Sequence, residues 1–160
     1  IGAKITVTSN DGKTTIDARI YNTSGQYTAE GIRVDSKPYT VKVDVPGHFT
    51  MYRKINLSDN VRGDIVGKRM LWNLTSGKAG DVNKDNEIDI LDAIAVQTYW
   101  DTNKNTTDFN FDKVVDAKDM AYIVKNFGLQ NSTVDNAPKP KTTYKGKTLE
   151  SILKDLGLDQ

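Results

Sequence analysis

Residues 81–119 hold one twelve-residue pattern written twice, 27 residues apart, and no other feature constrains the chain as tightly. The first copy reads Asp81-Val-Asn83-Lys-Asp85-Asn-Glu87-Ile-Asp89-Ile-Leu-Asp92, and the second reads Asp108-Phe-Asn110-Phe-Asp112-Lys-Val114-Val-Asp116-Ala-Lys-Asp119. The copies agree at positions 1, 3, 5, 9 and 12, and every shared residue carries a side-chain oxygen. Asp and Asn also favour turns, but turn chemistry alone would scatter the acids. Calcium is a hard cation that takes about six to eight oxygens, and a twelve-residue loop supplies them from positions 1, 3, 5, 7, 9 and 12. The spacing therefore predicts two calcium ions. One is held by Asp81, Asn83, Asp85, the Glu87 carbonyl, Asp89 and Asp92, the other by Asp108, Asn110, Asp112, the Val114 carbonyl, Asp116 and Asp119.

Position 6 of such a loop ordinarily takes Gly for a sharp turn, and here it is Asn86 in one copy and Lys113 in the other. Asn enters the left-handed region readily, whereas Lys there costs about 1–2 kcal/mol, so the second site is expected to be the weaker. Position 12 is Asp in both copies instead of the Glu of an EF-hand, which requires the following helix to start closer to the ion. An entering helix is missing as well, since residues 75–80 read Thr-Ser-Gly-Lys-Ala-Gly, a turn composition. After each loop a helical period begins, through Ala93, Val96 and Trp100 and again through Met120, Ile123 and Phe127. Ile88 and Val115, at position 8, are expected to form a small apolar pair between the loops. Each unit is then a loop with its exiting helix, and the two must pack together to bury their apolar faces.

Residues 80–129 resemble a dockerin, the duplicated calcium module that binds cohesin domains in cellulosomes and other bacterial surface assemblies. The resemblance implies recognition through loop positions 10 and 11 and through positions 17 and 18 on the following helix. These are Ile90, Leu91, Gln97 and Thr98 in the first copy and Ala117, Lys118, Val124 and Lys125 in the second. The Ser-Thr pair typical of type I dockerins is absent, and the apolar Ile90-Leu91 pair is closer to type II. Because the copies differ here, symmetric dual binding is not expected, and a core role for Leu91 and Val124 stays open.

Charge and composition narrow the function classes. Residues 81–119 carry ten acids against four lysines, while the remainder carries eighteen bases against eleven acids. Two calcium ions would offset four of the negative charges, and the basic remainder has no dense Lys/Arg cluster interleaved with aromatics, so nucleic-acid binding is not expected. Cysteine is absent, which excludes disulfides and thiolate zinc sites, and His48, the single histidine, is placed on an exposed turn after Pro46-Gly47. The chain shows neither a signal peptide nor an apolar run long enough to span a membrane. Extracellular calcium would saturate loops of this kind, so a secreted or cell-surface bacterial location is expected, with the chain as a monomeric piece of something larger.

Upstream, residues 4–74 alternate with period two. Ile5 and Val7 precede an Asn10-Asp11-Gly12 turn, a strong hairpin signal, and Ile16, Ala18 and Ile20 form a second candidate strand. Further strands are expected over residues 31–34, 39–45, 50–57 and 64–74. Short strands with frequent turns suggest a β-sandwich, and residues 39–49 resemble a strand and turn of carboxypeptidase-regulatory-like, prealbumin-type sandwiches. Type II dockerins are often preceded by such a sandwich, the X module. Met70, Leu71 and Trp72 are expected to be partly buried where the sandwich meets the repeat.

Residues 131–147 read as an extended linker with Pro138 and Pro140, and Thr148 and Gly157 bracket a helix with one stripe of Leu149, Ile152, Leu153 and Leu156. So short a helix must dock, either on this chain or on a partner. The expected architecture is multi-domain: an all-β sandwich (1–76), an all-α duplicated calcium repeat (77–130), a linker (131–147) and a terminal helix (148–157). No nucleophile elbow or second histidine is present, and the paired acids are committed to metal, so the segment reads as non-catalytic. Two functions remain. One is docking to a cohesin-like domain through Ile90, Leu91, Gln97, Thr98, Lys118 and Lys125. The other is a calcium-stabilised C-terminal appendage of a secreted hydrolase, since the arrangement is similar to C-terminal regions of large extracellular subtilisin-like proteases. Covering of the first-copy face by the terminal helix would favour the appendage.

Overall fold

The computed structural model describes residues 2–33, 35–57 and 73–158. Along these the order is β1 (Lys4–Thr8), β2 (Thr15–Asp17), β3 (Arg19–Ile20), β4 (Tyr27–Thr28), β5 (Tyr39–Asp44), β6 (Met51–Ile55), α1 (Ile90–Thr98), α2 (Ala117–Asn126), β7 (Thr143–Tyr144), β8 (Lys147–Thr148) and α3 (Leu149–Asp155). Two compact units are present, one of Ile1–Ala3, Asp44–Thr50 and Ser76–Gln160, the other of Lys4–Val43 and Met51–Thr75.

In the second of these units, alternation does what a half-buried sheet requires: Ile5 and Val7 of β1 and Tyr39, Val41 and Val43 of β5 are buried while their neighbours are not. The sheet order is β2-β1-β5-β6, with β5 and β6 antiparallel from Tyr39↔Ile55 to Val43↔Met51. The β1-β2 turn forms where Asn-Asp-Gly predicts it, with Gly12 at φ 72° and Asp11 Oδ1 accepting the Lys13 N–H at 3.0 Å. The second expected strand is broken in two. Ala18 still donates to the Ile5 carbonyl at 2.8 Å, but β3 leaves to pair with β4, and Ile20 is 68% exposed. Residues 31–33 form no strand, and residues 64–72, with Met70, Leu71 and Trp72, lie outside the described residues.

The expectation of an all-β sandwich followed by an all-α repeat is overturned: the chain is a mixed fold, with eight strands and three short helices among the described residues. Among the described residues the upstream part is one four-stranded sheet and a separate β3-β4 ribbon. The repeat is mostly loop, its helices being only nine and ten residues long. Each helix starts where its loop closes. Asp89 and Asp116 are N-caps, and Asp92 and Asp119 reach back to the N-cap N–H groups as capping boxes. Between these elements the backbone pairs as extended chain. Ile88 bonds to Leu129 and Gly128 (2.9 and 2.8 Å) and Val115 to Asp101 and Thr102 (2.9 and 2.7 Å), and both position-8 side chains are fully buried.

Residues 131–147 are not a free linker. Asn131 is buried and donates to the Thr50 carbonyl at 2.7 Å, and Lys141 brackets the start of α1, donating to Asp89 Oδ2 at 2.9 Å and accepting from the Ile90 N–H at 3.1 Å. The β7-β8 hairpin then leads into α3, capped by Thr148, which packs on α1 with Ile152 wholly buried. The terminal helix thus folds back on its own chain. At Gly77 a Cβ would lie 2.1 Å from the Phe49 carbonyl oxygen, backbone that cannot swing aside. Gly77→Ala is expected to cost about 1–3 kcal/mol, read as a lowered urea midpoint at unchanged slope.

Candidate metal centre and docking face

The two twelve-residue loops are wound alike, the second adding one bond from the Asn110 N–H to Asp119 Oδ1 at 3.4 Å. In the first, Asp81 accepts from the N–H groups of Asp85 (3.1 Å) and Asn86 (3.2 Å), Asn83 Oδ1 from Asp85 (3.1 Å), and Asp85 Oδ1 from Glu87 (3.1 Å). In the second, Asp108 accepts from Asp112 (3.2 Å) and Lys113 (2.8 Å), Asn110 Oδ1 from Asp112 (2.9 Å), and Asp112 Oδ1 from Val114 (3.1 Å). Position 12 closes each loop: Asp92 accepts from Val82 and Asp89 (both 2.9 Å), and Asp119 from Phe109 (2.7 Å) and Asp116 (3.0 Å). Winding of this kind needs left-handed residues. Asn86 and Lys113 at position 6 have φ 71° and 74°, and position 4, which carries no sequence signal for it, is left-handed too, at Lys84 (63°) and Phe111 (59°).

Electrostatics sets these loops apart from solvated turns. Asp81, Asp89, Asp92, Asp108 and Asp119 are all buried. Burial, then the charge of Asp85, pushes Asp81 up to about 6, and burial pushes Asp92 up to about 7 despite the N–H groups of Asp89 and Val82. Asp119 is raised for the same reason. Among the described residues no lysine or arginine pairs with Asp81, Asp85, Asp89 or Asp92. Glu87 is buried with Oε2 unbonded, and Lys141 Nζ lies 3.5 Å from its Oε1. No three carboxylate or imidazole groups among the described residues form a compact cluster. The oxygens carried by the loops are of carboxylate, amide and main-chain type, a chemistry that hard cations prefer and zinc does not.

The loops differ in their surroundings. Lys118 Nζ sits 3.0 Å from Asp112 and 3.8 Å from Asp116, and its hydrogen bond holds Asp112 below the usual carboxylate range. Val114 is 45% exposed where its counterpart Glu87 is buried.

The expected recognition positions divide between the two copies. Ile90 is wholly buried, Leu91 is half-buried, and Gln97 is held by Lys147 Nζ (2.7 Å) and Asp155 (3.5 Å). Thr98 is exposed, its hydroxyl donating to the Ile94 carbonyl at 2.7 Å. Ile90 therefore has no surface to offer a partner, because Lys141 and the chain that follows it lie against the start of α1. In the second copy Ala117, Lys118, Val124 and Lys125 are all exposed. There Ala117, Met120, Ala121, Val124 and Lys125 line an open groove of about 370 Å³ with Leu153 and Leu158.

His48 is buried, not exposed: its ring stacks on Phe111 and meets Phe109 edge-on, and Nδ1 lies 2.8 Å from the Pro46 carbonyl oxygen. Asn126, which donates to the Ala79 carbonyl at 2.7 Å, and Asn131, Lys141 and Lys84 were not expected to hold the site either. Polar residues in a polar run give no periodic signal, and their partners are distant in sequence.

Residues 79–128 match the family model for the dockerin type I domain, although the Ser-Thr pair of that type is missing. The fold is similar to that of a chain in solved type II cohesin-X-dockerin complexes. A C-terminal interface mutant of such a complex from Acetivibrio cellulolyticus contains a chain that matches with 20% identity and a TM-score of 0.53, over 82% of this chain and 85% of that one. An N-terminal interface mutant from the same organism matches with 16% identity and a TM-score of 0.51 over the same shares. No curated protein matches the chain. A subtilisin-like parent finds no support in these likenesses.

Proposed function

We propose that the chain is a non-catalytic, calcium-dependent docking module of a secreted or cell-surface bacterial protein, and that a cohesin-like domain is its partner. The observation that carries this reading is the match of the repeat to the dockerin family together with two similarly wound loops, in the first of which Asp81, Asp89 and Asp92 are buried with no lysine or arginine pairing with them among the described residues. Dockerin domains generally bind calcium. In this chain Asp81, Asn83, Asp85, Glu87, Asp89 and Asp92 would hold one ion and Asp108, Asn110, Asp112, Val114, Asp116 and Asp119 the other. Bound calcium supplies positive charge to buried acids and fixes both helix starts. The second site is the weaker, because Lys113 takes the left-handed turn and Lys118 competes for Asp112.

Docking uses the second copy. In the first copy Ile90 is buried and Gln97 is tied to Lys147 and Asp155, so Ala117, Lys118, Ala121, Val124 and Lys125, all exposed, with the rim of Leu153 and Leu158, form the larger partner surface. Val124→Asp places a charge at the apolar centre of that surface and is expected to weaken binding to a type II cohesin at least a hundredfold, with folding unchanged. Surface plasmon resonance in calcium and in EGTA tests both claims. A calcium-loaded chain that binds no cohesin would favour the appendage reading, which the burial of Ile90 also supports. Among the described residues no helix is long and apolar enough to cross a membrane.

Calcium affinity is expected to fall as the pH is lowered. In the ion-free fold Asp92 titrates at about 7 and Asp81 at about 6, against an ordinary 3.8, so the folded state holds protons that the unfolded chain has lost. The ion-free fold accordingly loses stability as pH rises from about 4 to about 7, while calcium must displace those protons and binds more tightly over the same rise. Calorimetry at pH 7.5 and pH 5.5 should show affinity for the first site reduced by roughly tenfold or more, with proton release on binding near pH 6.5.

A further inference from the structure

Position 4 contributes no oxygen to a loop of this kind, yet both position-4 residues grip the same short turn between β5 and β6. Lys84 directs its ammonium to Asp44 Oδ1 (2.8 Å), the Val45 carbonyl (2.7 Å) and the His48 carbonyl (2.6 Å), so all three of its N–H donors are used. Phe111, its counterpart in the second loop, lies flat against the His48 ring, with centroids 5.8 Å apart and planes 8° from parallel. The turn is tied to the chain entering the first loop as well: Phe49 donates to the Lys78 carbonyl (2.9 Å) and Gly80 to the Gly47 carbonyl (2.8 Å). Residues Asp44–Thr50 accordingly belong to the unit that contains the loops and not to the one that holds most of their own sheet.

Both gripping residues are strained, since a non-glycine residue in the left-handed region costs about 1–2 kcal/mol. That strain is maintained by the winding on either side, where Asp85 bonds back to Asp81 and Asp112 back to Asp108. A loop that loses its ion loses the charge that keeps its carboxylates drawn inward, and its position-4 residue is then free to leave the left-handed region. One grip is ionic and the other aromatic, so neither replaces the other.

We propose that the Asp44–Thr50 turn is a calcium-gated clasp that closes only when both loops are loaded, Lys84 reporting the first site and Phe111 the second. The clasp rests on the calcium reading above, and the test separates the two. His48 is the only histidine, so its ring protons are a single-residue NMR probe. In calcium they should be shifted by the Phe111 ring current, and Phe111→Ala should remove that part of the shift and leave only the smaller edge-on contribution of Phe109. Asp92→Asn, which keeps an acceptor for the helix cap, should bind one ion by calorimetry, lose the ring shift and speed amide exchange at Phe49 and Gly80 about tenfold. Lys84→Met should keep both ions and show the same faster exchange, with α1 and α2 amides still protected. Two bound ions with an unmoved His48 ring, or unchanged exchange in Lys84→Met or Asp92→Asn, would overturn the clasp alone. No calcium uptake by the unaltered chain would overturn the calcium reading and the clasp together.

Discussion

Excess EGTA should unfold the loop-helix repeat of the calcium-loaded chain while the β1-β2-β5-β6 sheet keeps much of its circular dichroism. The argument is one of linkage. An ion bound only by the folded state stabilises it by about 4 kcal/mol when its free concentration is a thousandfold above the dissociation constant, so two sites contribute about 8 kcal/mol. A whole domain is commonly stable by only about 5–15 kcal/mol. Without the ions the repeat must also keep Asp81, Asp89, Asp92, Asp108 and Asp119 buried against backbone N–H groups alone. Burial is what raises Asp92 to about 7, and it marks how poorly the ion-free fold accommodates that charge. Melting followed by far-UV circular dichroism should split into two transitions in EGTA, with the helical signal lost first. A melting curve that chelator leaves unchanged would contradict the calcium assignment.

The second large effect is expected from Asp92→Ala. Asp92 has no exposed surface and accepts from both Val82 and Asp89, so it closes the loop and completes the α1 capping box at once. Its removal should abolish the first site, costing about 4 kcal/mol at saturating calcium, and orphan two N–H groups at about 1–3 kcal/mol more. Asp119→Ala deletes the corresponding carboxylate, but from the site compromised by Lys113 and Lys118, so its calcium-dependent loss should be smaller. Urea unfolding of both variants in calcium and in EGTA separates the contributions. Equal losses in the two conditions would mean that these residues serve as helix caps and nothing else.

Residue patterns made the loops legible because nearly every bond in them is local. Asp81 reaches four and five residues ahead and Asp92 ten residues back, and a twelve-residue spacing encodes such contacts directly. The β1-β2 hairpin was legible for the same reason, Asn10-Asp11-Gly12 being a turn wherever it occurs beside alternating residues. Helical periodicity pointed to α1 and α2 but overstated helix in the repeat. A pattern of apolar positions does not reveal that Ile88 and Val115 pair their backbones as extended chain. The single strand expected through Ile16, Ala18 and Ile20 is split into β2 and β3, because alternation promises a buried face only where something packs on it, and Ile20 is largely exposed.

What the amino-acid order determined by itself is the run of oxygens in each loop, the helix caps at Asp89 and Asp116 and the short strands upstream. The loops, the caps and the β1-β2 hairpin each arise from interactions within about a dozen residues, where the chain has little freedom to choose otherwise. What tertiary structure decided is the fate of the rest: Ile90 and Gln97 covered by the returning C-terminal segment, Val124 left open, and His48 drawn between loop residues. Those outcomes depend on partners far along the chain, 36 residues from His48 to Lys84, 52 from Asp89 to Lys141 and 81 from Thr50 to Asn131. Closing such distances costs entropy that only the assembled fold repays, so no local pattern announces them.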